Sequence, residues 1–222
     1  MIITREKSIE EIYQMLEPHT KILIIGCDGC FQPPRGLKEA KMEAKIIELK
    51  RKLEKKDFKA RIASVLRQCD EDILISTLRP ILDNEEFDAI LSMACGAGVQ
   101  TVAELYNIPV YPAQNTLFIG SKMTSGYFEK CNACGDCLLG YTGGVCPVTN
   151  CAKGIMNGPC GGQVEGMCEV GNYTKKCAWI EIYKKLKDRP GGLDMYRKYR
   201  PPRDNRLMTS PREDIEEAMK IE

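Results

Sequence analysis

The stretch CNACGDCLLGYTGGVCPVTNCAKGIMNGPCGGQVEGMCEVGNYTKKC runs from Cys131 to Cys177 and holds eight cysteines. Its apolar residues follow neither the helical period nor the strand period. A segment of this kind cannot bury enough apolar surface to fold on its side chains alone, so something must cross-link it. Disulfides, zinc and iron–sulfur clusters are the three candidates. The chain has twelve cysteines, which divide into three sets of four, and a single histidine, His19. Zinc sites often mix cysteine with histidine, whereas a [4Fe–4S] cluster is usually held by four thiolates.

Redox compartment bears on the choice. The first residues, MIITREKSIEEIYQML, lack the apolar core of a signal peptide. No apolar run reaches the ~18 residues of a membrane span. The expected compartment is therefore the cytoplasm, where thiols stay reduced and dense cysteines more often bind metal than pair. The net charge, 32 − 31 = +1, offers no field for nucleic acid or membrane. No nucleophile–base pair or Walker motif is present, and one histidine makes most hydrolytic sites unworkable.

The first half reads as α/β. Ser8 to Glu11 has the form of a capping box, with Ile9, Ile12 and Leu16 on one face and Pro18 ending the helix. Strands are predicted over 21–26, 59–65, 87–94 and 108–112, with helices over 36–56, 71–82 and 98–106. Such alternation predicts a Rossmann-like parallel sheet, whose functional sites lie beyond the carboxyl ends of its strands. Cys27 and Cys30 follow the first of these strands, Cys69 the second and Cys95 the third. Three loops would thus carry four thiols to one edge. The competing reading makes Cys69 and Cys95 small buried fillers. Gly96-Ala-Gly98 could also cradle a phosphate, but neither it nor Gly26-Cys-Asp-Gly29 has the full dinucleotide spacing.

Composition shifts near residue 121. The expected organisation is a parallel α/β domain over 1–120 with four cysteines at strand ends, an irregular, glycine-rich, cysteine-ligated metal module over 121–187, and an extended basic arm over 188–222. The module closes on a helix over 178–187, with Trp179, Ile182, Tyr183 and Leu186 on one face. Within it, Cys131-x2-Cys134-x2-Cys137 and a cysteine before proline, Cys146-Pro147, have ferredoxin-like spacing. In a ferredoxin the fourth cysteine follows the third more closely, so this is no plain ferredoxin repeat. The spacing favours metal strongly and iron over zinc moderately.

The longer string, with TGGVCP, CAKGIMNGPCGG, GMCE and CAW in order, resembles the cysteine-rich C-terminal module associated with methylenetetrahydrofolate reductases. That module occurs as the small subunit of the two-subunit enzyme of acetogenic and related anaerobic bacteria. The resemblance covers about residues 120–187, and the α/β part fits the small subunit's build with less distinctive motifs. It implies a partner: a large subunit, a TIM barrel that holds flavin and reduces 5,10-methylenetetrahydrofolate to 5-methyltetrahydrofolate. This chain would relay electrons from ferredoxin or another donor to that flavin, through about three [4Fe–4S] clusters. Cys27, Cys30, Cys69 and Cys95 are assigned to one cluster. One grouping of the rest joins Cys131, Cys134 and Cys137 to Cys177, and Cys146, Cys151, Cys160 and Cys168 together; other groupings suit the order nearly as well. Zinc could replace iron at one site, and an all-zinc scaffold without redox activity is the alternative.

Overall fold

The computed structural model describes residues 1–203 and 212, without the side chains of Phe31 and Gln32. The chain divides into two compact units, Met1–Phe128 and a second from Glu129 onward.

The first unit opens on strand β1 (Ile2–Glu6) and helix α1 (Ile9–Leu16). Ser8 Oγ accepts the Glu11 N–H at 3.2 Å, the expected N-cap. Strand β2 (Lys21–Cys27), the two-residue β3 (Phe31–Gln32) and helix α2 (Leu37–Leu53) follow. Next come β4 (Lys59–Val65), α3 (Glu71–Leu82), β5 (Ala89–Ser92), α4 (Gly96–Leu105) and β6 (Val110–Pro112). The long strand β7 (Gln114–Met123) and strand β8 (Gly126–Cys131) complete the sheets.

The parallel sheet has the order β4-β2-β5-β6, with every pair parallel. Alternate residues of β2 feed two cores. Ile22 and Ile24 meet Ile12 and Leu16 of α1 and Ala40 and Ile47 of α2. Leu23 and Ile25 meet Leu74 and Leu78 of α3 and Val102 of α4. Helices therefore cover both faces, as a buried parallel sheet requires. Along α2, Ala40, Ala44 and Ile47 are buried on one stripe, while Leu37 is exposed. The lysine-rich helix is also not solvated all round. Arg51 is fully buried and donates to the carbonyls of Leu16, Glu17 and His19, satisfying the open end of α1.

A second sheet, β3-β1-β7-β8, lies outside the sequence expectation of a single parallel sheet. β1 runs antiparallel to β7, with a register shift between Ile3 and Thr4, and parallel to β3. The fold is thus α/β with a parallel sheet plus a mixed one that contains an antiparallel pair. β7 crosses residue 120, where the sequence suggested a boundary.

The second unit has little regular structure: a 3₁₀ turn at Leu139–Tyr141, and helices α5 (Pro147–Asn150), α6 (Ala178–Leu186) and α7 (Gly192–Arg197). Its core is Trp179, Ile182 and Leu186 of α6 with Cys177, supported by Met195 and Tyr196 of α7. The expected irregular arm therefore begins with a helix packed on α6. Residues 198–203 then lie on the same unit: Arg200 stacks over Trp179 at 5.3 Å and its backbone pairs with the Asn157 side chain. The rest of the predicted arm, apart from Arg212, lies outside the described residues.

Candidate metal centres

β2, β4 and β5 end on the same edge of the parallel sheet, and their loops carry the first four cysteines. Cys27 is the last residue of β2 and Cys30 sits in the turn after it. Cys69 precedes Asp70, the N-cap of α3, and Cys95 is the N-cap of α4. All four line one small cavity of about 20 Å³, with Gln68 and Gly98 beside them. The reading of Cys69 and Cys95 as buried fillers does not describe them, since Cys69 is exposed and Cys95 half-buried.

Electrostatics show how these thiols sense one another. Burial raises the Cys27 thiol above its ordinary range, and the nearby Cys69 and Cys95 sulfurs add to this. The nearby backbone amides of Gln68 and Gly29 pull the other way. Cys69 is raised by burial first, then by Cys95, with Cys30 contributing. Burial and mutual repulsion thus favour the protonated form of Cys27 and Cys69, and a bound cation would reverse that preference.

The glycines after β5 do not form a free phosphate cradle. Gly96 donates its N–H to Thr116 Oγ1 at 2.8 Å. Gly98 packs so tightly that a Cβ would lie 2.8 Å from Ala94 Cβ and 2.9 Å from Gln68 Cβ.

In the second unit, a cavity of about 20 Å³ is lined by Cys151, Cys160, Cys168 and Cys177. A small hairpin brings the last two together. Met167 bridges Val164 and Lys176, Cys168 N–H donates to Lys175 O at 2.7 Å, and Cys177 N–H donates to Gly166 O at 2.8 Å. Cys151 closes α5, and Cys177 opens α6 as its N-cap. Lys153 forms an ion pair with Glu169 at the cavity wall, and Glu169 faces Cys160 Sγ at 4.0 Å. The hydrogen bond to Glu169 holds the Lys153 ammonium above its usual range, with Cys160 adding to it. Lysine there is a positive charge beside the thiols.

The remaining thiols are Cys131, Cys134, Cys137 and Cys146. The first three share one loop, pinned where Ala133 N–H reaches Cys131 Sγ at 3.3 Å. Cys146 is the N-cap of α5, and Thr149 on that helix donates to Asn132 Oδ1 at 3.4 Å, which joins the helix to the loop. Arg203 donates to the carbonyls of Cys134 and Asp136, holding the loop's far side. The structure thus sets Cys177 with Cys151, Cys160 and Cys168, and leaves Cys146 beside the ferredoxin-like loop, a partition unlike the grouping suggested by cysteine order. What order hid is the hairpin turn at Gly171, Asn172 and Tyr173, all at positive φ, which returns Cys177 to Cys168.

Two thiols share a further feature. Cys95 and Cys177 each stand at the N-cap of a helix of two turns or more, α4 and α6, with no side chain capping the first amides.

All twelve cysteines are free. Among the described residues, no group of three or more His, Cys, Asp or Glu side chains is arranged to hold a metal ion as it stands. The donor chemistry nonetheless suits a four-thiolate group: each set supplies four thiols and no competing imidazole. His19 is elsewhere, its Nε2 within 2.8 Å of Tyr111 OH. Trp179 is core, its Nε1–H donated to Ile155 O at 2.7 Å. No helix among the described residues is long and apolar enough to cross a membrane.

Residues 111–206 match the family described as the C-terminal part of methylenetetrahydrofolate reductase. No curated protein and no solved structure matches the chain.

Proposed function

We propose that this chain is an iron–sulfur electron-transfer subunit that docks on a flavin-containing methylenetetrahydrofolate reductase subunit of the two-subunit type. The observation that carries the reading is the sorting of cysteines into four-thiol sets, two of them around cavities, in a chain bearing a segment related to the C terminus of that reductase. Cys27, Cys30, Cys69 and Cys95 would hold one [4Fe–4S] cluster. Cys151, Cys160, Cys168 and Cys177 would hold a second group, and Cys131, Cys134, Cys137 and Cys146 a third. Reducing 5,10-methylenetetrahydrofolate to 5-methyltetrahydrofolate takes two electrons and two protons. A donor such as ferredoxin supplies electrons singly, and clusters bridge that donor to a two-electron flavin. The folate chemistry belongs to the partner, and the complex would work in a reducing cytoplasm.

One observation favours zinc at a single site. Cys151 and Cys177 are woven into the core of the second unit beside Trp179 and Ile182, the position of a structural staple. Iron, acid-labile sulfide and zinc per chain, measured on full-length protein purified without oxygen, test both readings. About twelve iron and twelve sulfide support three clusters, and about eight iron with one zinc supports two clusters and a staple. Zinc without iron overturns the electron-transfer reading and leaves a scaffold.

A further inference from the structure

Gln68 is a fully buried amide at the edge where the first four thiols meet. Its Nε2 donates to Ile25 O and to Gly26 O, each at 3.0 Å. Its Oε1 accepts the hydroxyl of Ser92, also fully buried, at 2.6 Å. Ser92 Oγ in turn accepts the Ala94 N–H at 3.3 Å. Both amide protons and the amide oxygen are therefore used.

The residues this network reaches are informative. Gly26 immediately precedes Cys27, Gln68 precedes Cys69, and Ala94 precedes Cys95. Three loops from three strands are tied together one residue before each thiol. Gly98 of α4 packs on the Gln68 Cβ, closing the side of the amide away from the strands. Sheet register alone would leave these loops free to splay beyond the strand ends. A satisfied buried polar network fixes one arrangement, and outer groups that orient ligands and donate N–H to sulfur tune a metal site's affinity and potential.

We infer that Gln68 is the positioning residue of the first four-cysteine centre, its side-chain amide setting the spacing of Cys27, Cys69 and Cys95 and thereby the potential of the group they hold. This rests on the reading of those thiols as a cluster site. The test uses full-length chain purified without oxygen, with Cys95→Ser as reference, and reads iron, sulfide and an EPR-monitored redox titration. The cluster signal lost in Cys95→Ser identifies the first centre. Gln68→Glu keeps shape but removes the two amide donors; the expected result is a loss of up to about four iron per chain, or a negative shift of that signal's midpoint, with the other signals unmoved. Ser92→Ala leaves both carbonyl bonds intact and should keep its iron while shifting the same signal less. It also decides the matter should Gln68→Glu not fold.

Full iron and an unmoved midpoint in these variants, with about four iron lost in Cys95→Ser, overturn the role of Gln68 and leave the cluster reading standing. Unchanged iron in Cys95→Ser overturns the four-cysteine centre itself, and the positioning role with it.

Discussion

The two units solve the problem of holding cysteines in opposite ways. In Met1–Phe128 the sheet comes first and the thiols are added at its strand ends. Among the described residues, the second unit contributes few buried apolar side chains: Pro147, Cys177, Ala178, Trp179, Ile182 and Leu186. That unit is made of turns instead: Ala133, Glu165, Asn172 and Tyr173 have positive φ without being glycine, against Lys55 alone in the first unit. Left-handed backbone at such residues is costly and persists only where the surroundings impose it. The first unit can position ligands because its sheet supplies the fold, whereas the second, on the reading proposed above, would be folded by what its thiols hold.

The largest expected effect follows directly. On the proposed metal-bound reading, removing metal with a chelator under reducing conditions should unfold the Cys131–Cys177 segment while the parallel sheet stays intact, because binding at such a site would be folding free energy. Hydrogen exchange resolved along the chain measures it. Loss of protection confined to the second unit is expected. Equal loss in β2 and β5, or none anywhere, breaks the comparison.

Trp179→Ala is the next test. Trp179 is almost wholly buried, donates to Ile155 O, packs edge-on to Tyr196 and lies under Arg200. Truncating a buried aromatic costs about 3–5 kcal/mol, which exceeds what the sparse core of that unit has to spare. Protease resistance of the second unit should fall sharply while that of the first is unaffected. If both units lose resistance together, they do not fold separately.

The same contrast decides what could be read from the sequence. Where apolar residues repeat with a period, the elements are legible: α1, α3 and β4 fall where the pattern put them. β1 and the β7–β8 pair were missed because their sheet is half exposed; Leu117, Tyr127 and Phe128 face solvent in part, so no clean alternation marks them. The convergence of Cys27, Cys30, Cys69 and Cys95 was legible because strand order fixes strand ends. The set holding Cys177 was not, because it depends on a turn whose backbone sequence order does not encode. Gln68 gave no signal beyond its place before Cys69, since a buried amide is recognised only by its partners. Arg200 and Arg203 belong to the extended basic arm expected from sequence, whose composition does not say that they grip Asn157, Tyr141 and the Cys134 loop.

A smaller effect tests how closely the first unit is built. Gly98→Ala places a methyl 2.8 Å from Ala94 Cβ and 2.9 Å from Gln68 Cβ, closer than side-chain carbons pack. Neither neighbour can swing away, because Gln68 is bonded on three sides and Ala94 has no torsion to use. Overpacking of this kind costs about 1–3 kcal/mol, offset in part by alanine's better helix propensity. Thermal unfolding of the first unit should move down by several degrees while iron at the second unit's sites is kept. An unchanged midpoint would mean that the α4 contact with the strand ends is looser than its geometry.

Ser8→Ala carries the smallest effect and the sharpest local logic. Ser8 Oγ accepts one of the open amides of α1, whose other face buries Ile12, Tyr13 and Leu16. Loss of such a cap to alanine costs about 1 kcal/mol, whereas glycine costs only a few tenths. Ser8→Ala should therefore unfold before Ser8→Gly in denaturant, although alanine is the better helix former. The reversed order would show that the helix interior, not its open amides, limits α1. Among the described residues of the second unit no α-helix has a side-chain cap of this kind: α5 and α6 begin at Cys146 and Cys177, and α7 at Gly191, none making a cap hydrogen bond through its side chain. At α5 and α6, as at α4 of the first unit, a thiol stands at the capping position and makes no cap hydrogen bond, so the rule tested at Ser8 has no counterpart at the helices that begin on cysteine.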